Sequence, residues 1–319
     1  MPIREVAARV VHSYLAVQPG EGFLVVTDDA TDPAIGEALF TAGIAAGSNA
    51  SHVRIGRRET SGEEPPPAVA AAMVAADVCA CIAGRSIYHT NATGAAKAAG
   101  TRGVFNGPAS LDAWTHGAMT ADFLAIRETA ERVADRLRGA EEVHVTSPAG
   151  TDVRMSIAGR EPRGWLTAIC RRPGEVSALP GGEVSLPPLE GTTTGVIVVE
   201  RVMTDIGGLG SPLRWTVKDG HVVDIDGGPE ADQLRGLIDG VPGATNIAEL
   251  GIGLNPAARI SDDITESKKL LGTAHMAIGD NAGGYGGVVE CALHLDGMIM
   301  DVSIAVDGEP LVDRGKLTL

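Results

Sequence analysis

Hydrophobic and polar positions change rhythm once along the chain, near residue 139. Before it, short apolar runs alternate with stretches of helical periodicity. Residues 22–27 form an apolar run closed by Asp28, Asp29, Thr31, Asp32 and Pro33. That is the pattern of a buried strand followed by a helix with an Asp N-cap and Pro in its first turn. A helix over 34–47, a strand over 50–55, a helix over 67–76 and a strand over 78–82 follow. A helix over 91–100, a strand over 103–105 and a long amphipathic helix over 121–138 complete the series. Strands separated by single helices predict a parallel sheet with right-handed crossovers.

After Gly139 the helical spacing gives way to closely spaced strands over 142–146, 152–157, 194–200, 213–217 and 221–225. Lys218-Asp219-Gly220 and Asp226-Gly227-Gly228 carry turn chemistry between them. One helix is expected over 229–237, and residues 294–312 are again β-rich. The predicted architecture is α/β: a parallel, Rossmann-like α/β domain over 1–138, then a mostly β (α+β) domain over 139–319.

Composition sharpens this picture in a few places. Aromatics are only 3% of the chain and glycines number 42, so the core is aliphatic and its elements pack through small side chains. The net charge of −15 comes without a basic stripe, which argues against nucleic acid as a partner. No uncharged apolar run reaches the roughly 18 residues of a membrane span. The early charges of the N-terminus lead to the expectation of a cytoplasmic protein. Four scattered cysteines make no disulfide framework. Cys79 and Cys81 read as small buried side chains, and Cys291 as structural. His89, at the end of a predicted strand, can line a crevice. The strand-to-helix turn at 27–33 lacks G-x-G-x-x-G, and Walker A, G-x-S-x-G and H-E-x-x-H motifs are absent as well.

The residues that carry chemistry lie late in the chain. His294 and Asp296 stand at i and i+2 on a predicted strand, so imidazole and carboxylate share one face. His275 belongs to another strand-like segment, and the glycine loop 283–287, with Tyr285 in it, links the two. Glu183, in Pro180-Gly-Gly-Glu183-Val, and Glu249, in Ala248-Glu249-Leu-Gly-Ile-Gly, are acids within apolar runs. An acid so placed either points to solvent from an edge strand or needs a cationic partner, such as a metal ion. Imidazole and carboxylate are both first-row metal donors.

These pieces closely resemble the M29 family of metal-dependent aminopeptidases, of the aminopeptidase T and aminopeptidase S type. The matching stretches are P-G-G-E-V at 180–184, A-E-L-G-I-G-L-N at 248–255, G-T-A-H-M-A-I-G-D-N at 272–281 and H-L-D at 294–296. The resemblance implies an α/β N-terminal domain and a pair of divalent metals (Zn, Co or Mn) held by Glu183, Glu249, His275, His294 and Asp296. It also implies a homodimer acting on a small peptide or small-molecule amide. In that chemistry Glu249 can take a proton from a metal-activated water, and Tyr285 can hydrogen-bond the oxyanion. Three features depart from the M29 peptidases: they are longer, their metal histidines are more widely separated than the 19 positions here, and the tyrosine that follows their first metal histidine has no counterpart at the same offset, Tyr285 standing at a different one. A related resemblance is to the 2,5-dihydroxypyridine dioxygenases, which use H-x-D in a mononuclear iron site. In that branch a histidine stands where this chain has Glu249, and the P-G-G-E acid and the His275 equivalent are missing. Since all five hydrolase-type ligands are kept, hydrolysis is the favoured expectation and an Fe(II) ring-cleaving dioxygenase the alternative.

Overall fold

The computed structural model describes every residue except Trp165 and Asp263. By internal contacts the chain divides into two units, one of residues 1–126 and 165–181, the other of 127–164 and 182–319. The division expected from the sequence, at 138/139, lacks the return of 165–181 to the first unit. That return has a concrete basis: the two-residue strand Val176–Ser177 pairs with Arg102–Val104 and adds a fifth parallel strand to the first unit's sheet.

The first unit's sheet runs, in spatial order, Asn49–Ile55, Gly22–Asp28, Val78–Ile82, Arg102–Val104 and Val176–Ser177, and every pairing is parallel. Its interior strand Val78–Ile82 is buried at all positions, so it reads as an unbroken apolar run. The helices start where local chemistry allows. Asp32 accepts from the Ala34 amide at 2.9 Å, and Pro33 opens helix Pro33–Ala45. Thr90 caps Asn91–Ala99, and Gly100 ends it in the left-handed region at φ 97°. Cys79 and Cys81 are buried free thiols, while His89 is exposed and packs edge-on against Tyr88.

In the second unit the described residues form two antiparallel sheets. The larger has the order His221–Asp226, Leu213–Lys218, Thr194–Val199, Asp152–Ser156, Glu142–Thr146, Ser303–Val306, Glu309–Asp313 and Lys316–Leu317. The smaller runs Gly207–Gly208, Val202–Met203, His294–Ile299, Ala274–Gly279, Ile247–Gly253 and Glu183–Leu186. Alternation along the smaller sheet's strands sorts their side chains. Leu250, Ile252, Met276, Ile278, Leu295 and Ile299 are all buried, and all alternate with the site residues. On this apolar side Gly297 lies against Val199 and Trp215 of the larger sheet. Each such side chain contributes on the order of 1.5–3 kcal/mol through burial. That burial anchors the sheet from behind and leaves its other face to polar residues.

Candidate metal centre

The polar face is set by strand register. Across the sheet, Gly253 stands opposite Glu183, Gly251 opposite Ser185 and His275, Ala277 opposite Glu249 and Asp296, and Gly279 opposite His294. Large functional side chains therefore alternate with glycine or alanine on neighbouring strands. At Gly251 the small residue is obligatory: a Cβ there would lie 1.9 Å from Cε1 of His275, whose ring lies across the glycine. The motif A-E-L-G-I-G thus supplies both an acid and the floor beneath an imidazole.

All five residues singled out from the sequence meet on this face. His294 Nε2 lies 3.0 Å from Glu249 Oε2 and 3.6 Å from Asp296 Oδ1. His275 Nε2 lies 3.7 Å from Glu183 Oε2 and 3.8 Å from Asp296 Oδ1. One ligand atom each from Glu249, His275 and Asp296 fall within 4.8 Å of one another. Both glutamates are buried, Glu183 on the edge strand and Glu249 on an interior one, so neither points to solvent.

Three cations accompany them, and the sequence reading had missed all three. Arg163 ion-pairs Glu249 and donates to Ser185 Oγ at 2.7 Å. Lys268 Nζ lies 3.0 Å from Asp296 Oδ2 and 3.8 Å from Glu183 Oε2. Lys269 Nζ donates to Glu183 Oε1 at 3.3 Å. Nothing local marks these residues, since basic side chains after a short helix or in a loop are ordinary surface features. The glycine loop folds Tyr285 over the site, stacked on His294 with ring centroids 4.3 Å apart, and Arg163 sits 4.5 Å from the Tyr285 ring centre. Arg160 holds that loop by pairing with Glu190 and donating to the Gly286 carbonyl at 2.8 Å. Cys291, half-buried, accepts at its sulfur from the Leu293 amide at 3.4 Å.

Protonation follows from these neighbours. Burial raises the Glu183, Glu249 and Asp296 carboxyls, but the surrounding cations outweigh it and hold all three below the usual carboxylate range. Burial, aided by Lys268, lowers His275, so its ring is neutral and offers a lone pair. Burial lowers His294 too, yet Asp296 and Glu249 prevail and push it up to about 10. Burial and the nearby carboxylates raise Tyr285, which stays a phenol.

The donor set fits a divalent cation on two observations. Glu183 Oε2, Asp296 Oδ1 and both His275 ring nitrogens are buried without a hydrogen-bond partner, a costly state of about 1–3 kcal/mol per group. His294 Nδ1 lies 2.7 Å from the Asp280 carbonyl, the contact that directs Nε2 toward a metal. The convergent set is Glu249, His275 and Asp296, with His294 Nε2 beside Glu249, and imidazole and carboxylate together are donors for first-row divalent metals.

Comparison with known proteins places the fold and the family. No curated protein matches the chain. The structure of 2,5-dihydroxypyridine dioxygenase from Pseudomonas putida KT2440 superposes with a TM-score of 0.82 at 18% identity, covering 99% of this chain and 96% of that one. Wild-type AmpT from Thermus thermophilus superposes with a TM-score of 0.70 at 18% identity, covering 99% of each chain. At that identity both likenesses establish the fold, and the M29-like architecture expected from the sequence is present. Family membership rests on the sequence itself. The model of NicX, 2,5-dihydroxypyridine 5,6-dioxygenase, matches residues 7–319, a span that includes every residue of this cluster. The resemblance to the 2,5-dihydroxypyridine dioxygenases is therefore the one that names the family, and the chain belongs to the NicX family.

Proposed function

We propose that the protein is a metal-dependent ring-cleaving dioxygenase acting on a small hydroxylated aromatic of the dihydroxypyridine kind, with Fe(II) as its metal. The observation that carries this reading is the pairing of the carboxylates. Glu249 is held by Arg163, Glu183 by Lys269 and Lys268, and Asp296 by Lys268. An aminopeptidase substrate arrives with an ammonium group, and among the described residues of this face no carboxylate is left without a cation. A hydroxylated aromatic ionises to an anion, and the surplus positive charge of a metal-loaded site attracts it.

His275, His294 and Asp296 would hold the metal, with Glu249 beside them. The imidazole that the dioxygenase-like pattern places at position 249 is supplied here by His275 from the neighbouring strand. When bound, a redox-active divalent metal lets dioxygen and an electron-rich ring react together. The chain's own residues do the rest. Arg163 and Lys268 attract the ring oxygens, Tyr285 shields His294 with its ring and offers a phenolic proton, and Asp280 fixes the His294 tautomer.

Amide hydrolysis is the second reading, favoured by the presence of Glu183 and Glu249 together with both histidines in one cluster. The two part cleanly in one assay. Protein loaded anaerobically with Fe(II) is mixed with 2,5-dihydroxypyridine in an oxygen electrode, and in parallel with amino-acid anilides under Zn(II), Co(II) or Mn(II). Oxygen uptake matched by loss of the ring's ultraviolet absorbance is the expected result. Anilide cleavage without oxygen uptake would overturn the proposal in favour of hydrolysis.

A further inference from the structure

We infer that Lys268 stands in the place of a second metal ion and restricts the centre to a single divalent cation. The inference rests on the metal-centre reading above and goes beyond it, since five donor residues of this kind are enough for two ions.

The two oxygens of Asp296 face different partners. Its Oδ1 faces the imidazoles, 3.6 Å from His294 and 3.8 Å from His275, while its Oδ2 receives the Lys268 ammonium at 3.0 Å. Glu183 meets both neighbours with a single oxygen. Its Oε2 lies 3.7 Å from His275 and 3.8 Å from Lys268, and its Oε1 accepts from Lys269. In two-metal sites a bridging carboxylate gives one oxygen to each ion. Here one oxygen of Asp296 faces the two imidazoles, and the other faces an ammonium covalently tethered to the chain.

Charge points the same way. The carboxylates of Glu183, Glu249 and Asp296 are matched by Lys268, Lys269 and Arg163. One divalent ion adds two positive charges. A second would raise this to four in a buried volume whose carboxylates are already neutralised, and uncompensated buried charge is strongly unfavourable. Without the Lys268 ammonium, Asp296 Oδ2 and Glu183 Oε2 become an anionic pair open to a cation.

The test counts metal rather than turnover. Wild-type protein and Lys268→Gln, Lys268→Arg and Lys268→Glu variants are loaded with excess Mn(II) and desalted. Bound metal is measured by mass spectrometry and by electron paramagnetic resonance. We expect one isolated ion per chain in the wild type and in Lys268→Arg, and a spin-coupled pair in Lys268→Gln and Lys268→Glu. The second ion should bind at least about tenfold more tightly in Lys268→Gln than any second ion in the wild type. A spin-coupled pair in the wild type overturns the inference even if a variant fails to fold. One ion in the wild type and one in a folded Lys268→Gln also overturns it and leaves the single-metal reading standing. No bound metal in any form overturns the metal-centre reading, and this inference with it.

Discussion

Two buried aspartates, one in each unit, show what separates a structural acid from a functional one. Asp28, at the end of a parallel strand, has both carboxylate oxygens engaged. Oδ1 accepts from the Ala30 and Thr31 amides and the Thr31 hydroxyl, and Oδ2 accepts from the Gly84 amide at 2.8 Å. Asp296, equally hidden, has one oxygen on Lys268 and the other, Oδ1, without a hydrogen bond. Burial alone does not distinguish them; unsatisfied valence does. Asp28 is spent on fixing a strand-to-helix turn, in the position where an open α/β sheet commonly binds its ligand. The antiparallel sheet keeps unsatisfied donors on its polar face instead.

The largest test of this contrast exchanges the consequences of losing each acid. Asp296→Ala or His294→Ala should leave almost no metal bound after loading, as measured by elemental analysis of folded protein. Asp28→Ala should leave metal content per folded chain unchanged and lower stability by about 3 kcal/mol in urea denaturation, through lost charge-assisted hydrogen bonds. Metal retained in both ligand variants would dissolve the distinction.

Gly251→Ala comes next. The added methyl would overlap the His275 ring, whose Cε1 lies 1.9 Å from the ideal Cβ position. We expect metal affinity to fall about tenfold or more as the ring is displaced, since removing even an outer partner of a metal ligand costs about that much. Calorimetric titration checks it, and unchanged affinity would mean that His275 is not a ligand.

A pH series sharpens the picture. Because His294 in the metal-free chain is raised to about 10, metal uptake below that pH must release its proton. Apparent affinity should therefore climb roughly tenfold per pH unit toward about pH 10. The metal-free chain runs the other way. A folded-state value above the unfolded one of about 6.5 contributes stability that is full below pH 6.5 and is lost as pH rises through about 10. Melting temperatures with and without metal should thus diverge as pH rises, and parallel curves would count against coordination by His294.

The smallest expected effect is Tyr285→Phe, which keeps the ring on His294 and removes only the hydroxyl. Metal content should be unchanged and turnover severalfold lower. An equal loss of metal would show that the phenol is itself a ligand.

Local pattern by itself determined much of this protein. The 3.6-residue and two-residue periods place helices and strands close to where the structure has them: residues 78–82 were predicted and Val78–Ile82 observed, residues 229–237 predicted and Pro229–Ile238 observed. The candidate donors were legible by residue type, because acids within apolar runs and H-x-D on a strand are costly unless something compensates them. Other features were decided only by tertiary structure. Val176–Ser177 is too short to carry a period, and only its neighbour Arg102–Val104 makes it a strand. Arg163 and Glu249 are 86 positions apart, as are Lys269 and Glu183, and no rule of spacing joins them. An ion pair between distant residues leaves no trace in local sequence, because its strength depends on distance and burial, which exist only once strand register is set. The sequence thus named the carboxylates and imidazoles of the site. The fold decided which cations they meet, and with them how much further positive charge the site can accept.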